Sequence, residues 1–206
     1  CAGGVGLASP SRRIVEYCCG HESRMGRPHP WNEGCQVLRL TMDDDVSTPK
    51  GHAKAMEAVS DPNTPTLLFS SIPCTGGAGW QKINMKKGKA TRRKIARHIK
   101  TFKQIWDNFV IVAQTAIDNH HVVVIEWPDG CDYWNRKDVY RFLQHDKFMI
   151  TKFDGCQYGL RSQIKANKGA PIVKPWRFAS TSSIMLEGFT LKCGAPKGSP
   201  CIKAGI

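Results

Sequence analysis

One cysteine occupies a position that favours chemistry: Cys74 follows Pro73, shortly after the apolar run 67–69. A strand ending at Pro-Cys would present the thiol at its carboxyl end, where open α/β sheets bind ligands. The glycine-rich turn 76–79 would then let the backbone approach a flat or phosphate-bearing substrate closely. A thiolate there could act as a nucleophile, although a cysteine after a strand is more often a small core residue.

Three other groups follow predicted strands and could share a site with this thiol. Glu126 ends the run 122–126, Gly20 ends the first strand, and the carboxylates 43–45 follow the second. The carboxyl ends of parallel strands meet at one edge, so these groups should converge on one crevice. Gly20 would permit close backbone approach, and an aspartate such as Asp43 could bind ribose hydroxyls. The turn after Gly20 lacks the G-x-G-x-x-G spacing, which argues against NAD.

The elements that must position these residues alternate between strand and helix. We predict strands over 13–20, 35–40, 66–72, 122–126, 148–153 and 175–181, and helices over 51–59, 91–116 and 137–145. In the longest helix, apolar residues recur at three- and four-residue steps from Ile95 to Ala116. Pro128 is expected to stop the ladder of the fourth strand.

This order predicts an α/β fold, a Rossmann-like doubly wound, mostly parallel sheet with helices on both faces. The chain has 206 residues and shows no internal repeat or clear linker, so we expect one domain. That domain should span residues 13–190. We expect flexible segments at residues 1–12 and 191–206.

The formal charge of +13 is concentrated in two acid-poor blocks. The first block, from Lys82 to Lys103, has ten Lys or Arg residues and no acidic residue. The second block, from Lys147 onward, has ten Lys or Arg residues and two acidic residues. A basic helix can be a solvated face, but two such blocks favour a polyanionic partner, nucleic acid being the commonest. The candidate phosphate contacts are Lys86, Lys87, Arg92, Arg93 and Arg97. No stretch is apolar enough for a membrane partner.

The nine cysteines are odd in number and irregularly spaced, which favours reduced thiols over a disulfide framework. We therefore expect an intracellular setting, without distinguishing a nuclear, cytoplasmic or virus-encoded protein. The first residues lack the basic start and apolar centre of a signal peptide. Cys18, Cys19, His21 and Cys35 lie close in sequence, but no C-x-x-C pair occurs, so no metal is predicted.

Five segments, in order, resemble class I S-adenosylmethionine-dependent methyltransferases, and more narrowly DNA cytosine-C5 methyltransferases and their phage-type relatives. They are the strand and glycine turn 15–20, the Pro-Cys segment 71–75, the Glu segment 125–128, and the segments 158–161 and 174–177. Trp127 stands where that family usually has Asn, and Arg161 stands alone where it has two arginines. No large target-recognition domain follows Arg161, so a separate recognition partner is an open alternative.

The resemblance implies a DNA-binding enzyme whose cofactor is S-adenosylmethionine. It implies that the Cys74 thiolate adds to C6 of a flipped cytosine while Glu126 binds N3. It also implies that Arg161 lowers the thiol pKa and holds the base. The implied cofactor-binding residues are Glu16, Cys18, Gly20, Asp43 and Pro73. Trp80 or Trp127 could stack on the flipped base, although packing roles suit both.

Other interpretations stay open at this point. Segment 71–74 is a distorted match to the Asp/Asn/Ser-Pro-Pro-Tyr/Phe loop of enzymes that methylate an exocyclic amino group, at N6 of adenine or N4 of cytosine. The chain could instead be a nucleic-acid-binding module without catalysis. Glu126 could be a strand-end carboxylate paired with a cation, and residues 43–45 a solvated turn. Cys131 and Cys156 could be ligands, although a structural role suits them better.

Overall fold

One mixed sheet of six strands forms the centre of the protein; the computed structural model describes residues 12–194 and 201–203. The strands are β1 (Arg12–Tyr17), β2 (Cys35–Leu40), β3 (Thr66–Ser70), β4 (Val122–Pro128), β5 (Met149–Asp154), β6 (Ile172–Val173), β7 (Pro175–Ser180) and β8 (Ile202–Lys203). The helices are α1 (Pro49–Val59), α2 (Gln81–Asn84), α3 (Lys89–Asp118), α4 (Lys137–His145) and α5 (Ile184–Glu187).

The sheet has the order β2-β1-β3-β4-β7-β5. Strands β1 to β4 are parallel to one another, whereas β7 is antiparallel to both β4 and β5. The short strands β6 and β8 pair separately, in parallel. The α/β class, the single domain and the six predicted strands are thus confirmed, and the sheet is mixed through β7. Pro128 is the last residue of β4 and still pairs with Trp176, so the ladder runs to the proline.

Three helices, α1, α3 and α4, pack on the same face of the sheet. The opposite face carries an apolar cluster that includes Phe153 and Phe178, and it is covered by α5 and the segment that follows. Crossovers between parallel strands are right-handed. The connection from β1 to β2 runs toward one edge of the sheet, whereas those from β2 to β3 and from β3 to β4 run toward the other edge. That connection therefore lies on the second face, where it forms a loop with one short 3-10 turn. The sequence predicted helices on both faces, but in the described part of the chain the second face carries only the four-residue helix α5, so a doubly wound fold is not confirmed.

The longest element, α3, has 30 residues and is therefore about 45 Å long. Its sheet-facing side is the predicted apolar stripe, with Phe102, Trp106 and Phe109 buried in the core. Its first three turns are mostly exposed, with Ile95 as the buried residue. No helix in the described part of the chain combines the length and apolar character needed to cross a bilayer.

The chain after α5 returns to the end of β5. The backbone N–H of Asp154 donates to the carbonyl of Leu191 at 3.0 Å, and that of Cys193 donates to the Asp154 carboxylate at 2.8 Å. Strand β8 then pairs with β6. These contacts attach residues 191–194 and 201–203 to the fold. The sequence assigns both stretches to a flexible C-terminal tail. Residues 1–11 of the expected N-terminal segment lie outside the described residues.

Candidate active site

The sheet order reverses between β1 and β3, and open α/β sheets bind ligands at the carboxyl edge beside such a point. The four parallel strands all end at this edge. Because β7 is antiparallel to β4, it begins where β4 ends: Pro128 of β4 pairs with Trp176 of β7. The residue before β7, Lys174, therefore reaches the edge at which β3 delivers Cys74.

The loop that carries Cys74 is fixed on both sides by backbone contacts. The N–H of Ser71 donates to the carbonyl of Tyr17 at 2.9 Å, which extends the pairing of β3 with β1. The indole N–H of Trp127 donates to the carbonyl of Ile72 at 2.6 Å. Trp127 is 1% exposed, so its packing role is confirmed and it offers no face to a flipped base. Its bond to Ile72 instead positions the half-buried Cys74 two residues later.

Two neighbours stabilise the thiolate of Cys74. The side chain of Cys131 hydrogen-bonds to Cys74, and the positive charge of Lys174 acts on the same thiol. Together they lower the pKa of Cys74 below that of an ordinary cysteine, against the opposing effect of burial. The pKa of the buried Cys131 is raised, because it shares this hydrogen bond and is desolvated. The shared hydrogen bond and the charge of Lys174 make Cys74 the candidate nucleophile of the pair.

Glu126 lies in β4 beside the same loop. Burial raises the pKa of its carboxyl to about 7, and the charge of Cys74 adds to this rise. Lys174 and a hydrogen bond with Ser71 oppose it and lower the pKa. Near neutral pH the carboxyl is therefore partly protonated and can donate a hydrogen bond. The sequence predicts that Cys74 and Glu126 share a site, and the structure brings them within electrostatic range.

Lys174 is the site residue that the sequence analysis missed. Its Nζ lies 4.0 Å from the ring centre of Trp176, a cation–π contact that orients the side chain. The role predicted for Arg161, lowering the thiol pKa, belongs here to Lys174. Arg161 is exposed and forms an isolated bridge with Pro171. The sequence does show a Lys-Pro pair before a predicted strand. It does not show that this strand is antiparallel to β4, which is what brings Lys174 to the edge that holds Cys74.

The glycine turn after Cys74 packs against protein rather than reaching toward a substrate. A Cβ on Gly76 would lie 2.5 Å from the hydroxyl of Tyr133, and one on Gly77 would lie 2.6 Å from its ring. The Tyr133 ring in turn stacks on Phe102 of α3, with 3.6 Å between ring centres. The expected close approach to a ligand is therefore corrected: at Gly76 and Gly77 the close neighbour is Tyr133.

A cavity of about 360 Å³ opens beside Cys74, at the boundary between β1 and β3. Its volume is within the range of small-molecule sites. It is lined by Cys18, Cys19, Thr41, Met42, Asp45, Val46, Pro73, Thr101 and Ile105. Cys18 and Pro73 were predicted cofactor contacts, and Cys18 adopts the left-handed backbone region with φ 63°. The aspartate at this cavity is Asp45, two residues after the predicted Asp43.

The other predicted cofactor contacts lie outside the lining of this cavity. Glu16 is buried on the opposite face, where it bonds to Ser23 and pairs with Arg39 at 3.4 Å. Asp43 is exposed and pairs with His21 at 3.6 Å. Gly20 is exposed, and a Cβ there would meet no atom within 4 Å. We predicted that Gly20 lets the backbone approach a ligand closely. In the structure the space beside Gly20 is open, and no protein atom requires a glycine there.

The predicted phosphate contacts all lie on one projecting part of the fold. Lys86 and Lys87 belong to a 3-10 turn before α3, and Arg92, Arg93 and Arg97 lie in its exposed first turns. A groove of about 440 Å³ runs between these turns and α2, and it is lined by Thr75, Trp80, Gln81, Asn84, Thr91, Lys94, Ile95 and His98. Trp80 is 49% exposed there, so it remains accessible for stacking.

A larger open cavity of about 570 Å³ lies beneath the loop 26–33, where Cys35 begins β2. The cavity therefore lies at the edge of the sheet opposite Cys74. The titratable residues in its lining are His29, Glu33 and Cys35. The thiol of Cys74 with its lowered pKa, the carboxyl of Glu126 with its raised pKa, and Lys174 meet at the other edge, which is therefore the candidate active site. No family model, no curated protein and no solved structure matches this chain.

Proposed function

We propose that the protein is a nucleic-acid methyltransferase that methylates C5 of cytosine through a covalent bond to Cys74, on a Rossmann-like scaffold. The observation that carries the proposal is the pairing of Cys74 and Glu126. The pKa of the thiol is lowered and that of the carboxyl is raised to about 7. The anionic charge of Cys74 itself favours the neutral carboxyl, so a nucleophile and a proton donor coexist near pH 7.

This pair suits the activation of a cytosine, whose C5 is a poor nucleophile. The thiolate of Cys74 forms a bond to C6, and the electrons of the C5–C6 double bond move onto C5 and toward N3. A protonated Glu126 donates a hydrogen bond to N3 and stabilises that charge. Loss of the C5 proton to water later restores the double bond and expels the Cys74 thiolate. Lys174 lowers the pKa of the thiol in the free enzyme.

The cavity beside Cys74 fits S-adenosylmethionine in size and in chemistry. When bound, this cofactor would supply an electrophilic methyl group to the activated C5. The carboxylate of Asp45 would accept hydrogen bonds from ribose hydroxyls, and the hydroxyl of Thr41 would donate or accept one. Met42, which is 89% exposed at the cavity, would cover an apolar ring. Pro73 belongs to both the cavity wall and the catalytic loop, so the two sites adjoin.

The nucleic-acid partner is supported by charge and by exposed aromatic surface. The basic turns of α3 border the groove that contains Trp80, and this groove shares Thr75 with the catalytic loop. Phosphates bound along α3 would place a nucleotide next to Cys74, and an exposed indole is a stacking platform for bases. A DNA strand is the substrate that we propose first.

The test is covalent trapping with an oligonucleotide that contains 5-fluorocytosine. Fluorine at C5 cannot leave as a cation, so the adduct formed after methyl transfer persists. We expect a denaturation-resistant protein–DNA band that requires S-adenosylmethionine. Cys74→Ala should abolish the band, and Glu126→Gln should slow its formation because an amide cannot supply the same proton.

The control is Cys35→Ala, which removes a half-buried thiol at the opposite edge of the sheet and should leave trapping unchanged. An adduct that persists in Cys74→Ala would show that another thiol reacts. Methylation without any adduct would favour transfer to an exocyclic amino group. Folded protein could also bind nucleic acid but neither bind S-adenosylmethionine nor transfer a methyl group. That result would favour a nucleic-acid-binding module without catalysis.

A further inference from the structure

Three cysteines from separate parts of the chain converge beside the end of β5. Cys156 lies in the 3-10 turn that follows β5, Cys193 follows α5, and Cys201 immediately precedes β8. Their sulfur atoms all lie within 4.8 Å of one another. Cys156 is 7% exposed, and the other two are partly buried. Three thiols gathered from such distant positions form a cluster that the fold itself assembles.

The spacing of the sulfurs fits a shared metal ion. The Sγ atoms of Cys193 and Cys201 are 3.7 Å apart. Two thiolates bound to a tetrahedral zinc ion, each at about 2.3 Å, would have sulfurs about 3.8 Å apart. A disulfide would need about 2.05 Å. The observed separation therefore matches an edge of a zinc–thiolate tetrahedron.

The surroundings supply the supporting contacts that a thiolate site needs. The side-chain amide of Gln157 donates to the sulfur of Cys156 at 3.8 Å, a contact that stabilises negative charge on sulfur. The Asp154 carboxylate accepts the N–H of Cys193 at 2.8 Å and so fixes the backbone of that residue. Zinc binds cysteine as the thiolate, so metal binding at this cluster would release the protons of the thiols.

We infer that Cys156, Cys193 and Cys201 bind a thiophilic divalent metal ion, zinc before others. Three thiolates select zinc over magnesium or calcium, which prefer oxygen. The role is structural: the ion ties the chain after α5 and the start of β8 to the end of β5. The three cysteines are too far apart in sequence for a recognisable zinc motif. The site is independent of the proposed methyl transfer.

The experiment is metal analysis of the full chain, purified under reducing conditions from zinc-supplemented culture. We expect bound zinc in an equimolar amount by elemental mass spectrometry. Cys193→Ser and Cys201→Ser, both at partly buried positions, should each lose the zinc. The matched control, Cys35→Ser, should retain it. Because Cys156 is buried, Cys156→Ser can affect folding, and its metal content counts only if its circular dichroism is that of the wild type.

A second measurement does not depend on any variant. Cobalt(II) titrated into the zinc-free wild-type protein should produce the near-ultraviolet band of thiolate-to-cobalt charge transfer and the visible bands of a tetrahedral ion. Zinc should then remove these bands. Folded protein that binds neither metal would overturn the inference. So would zinc retained by the Cys193→Ser, Cys201→Ser double variant, which would assign the metal to other cysteines.

Discussion

The reactivity of Cys74 depends on two neighbours that act in different ways. Cys131 donates a hydrogen bond to the sulfur, and Lys174 supplies a positive charge. Glu126 responds to the same lysine and to the thiolate. Each group thus sets the protonation state of the next, and the site should titrate as a coupled unit rather than as separate residues.

This coupling predicts the effect of removing the lysine charge. Lys174→Met should raise the pKa of Cys74, and each unit of increase should slow alkylation at low pH by about tenfold. The measurement is the pH dependence of iodoacetamide labelling of Cys74, followed by mass spectrometry of its peptide. Lys174→Arg keeps the charge and should retain more of the wild-type reactivity. Identical profiles for Lys174→Met and the wild type would remove Lys174 from the site.

At the scale of elements, the glycine turn and α3 act together. Tyr133 stacks on Phe102 of α3 and fills the space over Gly76 and Gly77. The turn after Cys74 is therefore held against the long helix through one tyrosine ring. A change in the turn should disturb the loop that carries Cys74 through packing alone, without any ligand.

Gly77→Ala tests this packing. Its Cβ would lie 2.6 Å from the Tyr133 ring, closer than real contacts allow, so the ring or the turn must shift. We expect a decrease of about 1–3 kcal/mol in the free energy of unfolding, measured by urea denaturation. The control is Gly188→Ala, where a Cβ meets no atom within 4 Å and the backbone is already helical. Equal stability of the two variants would contradict the packing.

The sequence predicts the elements well because each depends on local pattern. The stripe from Ile95 to Ala116 marks α3, and the β-branched run before Glu126 marks β4. The sequence does not predict that β7 inserts between β4 and β5 in the antiparallel direction, because strand direction depends on pairing between distant segments. Lys174 was missed for that reason. Gly77 was misinterpreted because its neighbour, Tyr133, is distant in sequence.

At the scale of the whole molecule, the acid-poor block 82–103 lies at the edge that holds Cys74. The basic turns of α3 project beyond the sheet on one side of Cys74, and Lys174 lies at the site itself. Asp129, which ends the β4 edge, is already paired with Arg177 at 2.6 Å and with Lys152 at 3.1 Å. Among the described residues, no ion pair joins Arg92, Arg93 or Arg97 to a carboxylate, so a polyanion that approaches α3 meets unneutralised cations.

The triple variant Arg92→Glu, Arg93→Glu, Arg97→Glu should weaken binding to duplex DNA. The slope of log affinity against log salt should fall by about 0.9 for each phosphate that the variant no longer neutralises. The matched control reverses three exposed cations away from α3, at Arg12, Arg141 and Lys147, with the same change in net charge. Equal effects of the two triple variants on affinity and slope would mean that only the total charge matters.

The position of β7 also determines when the chain can finish folding during synthesis. β7 pairs with both β4 and β5 but follows both in the chain, so each keeps an open edge until residues 175–180 have emerged. Open strand edges are sites where nascent chains associate wrongly. The same insertion brings Lys174 to Cys74. A growing chain therefore covers its two exposed edges and brings the lysine charge to its thiol in one event, and a chain that stops before residue 174 does neither.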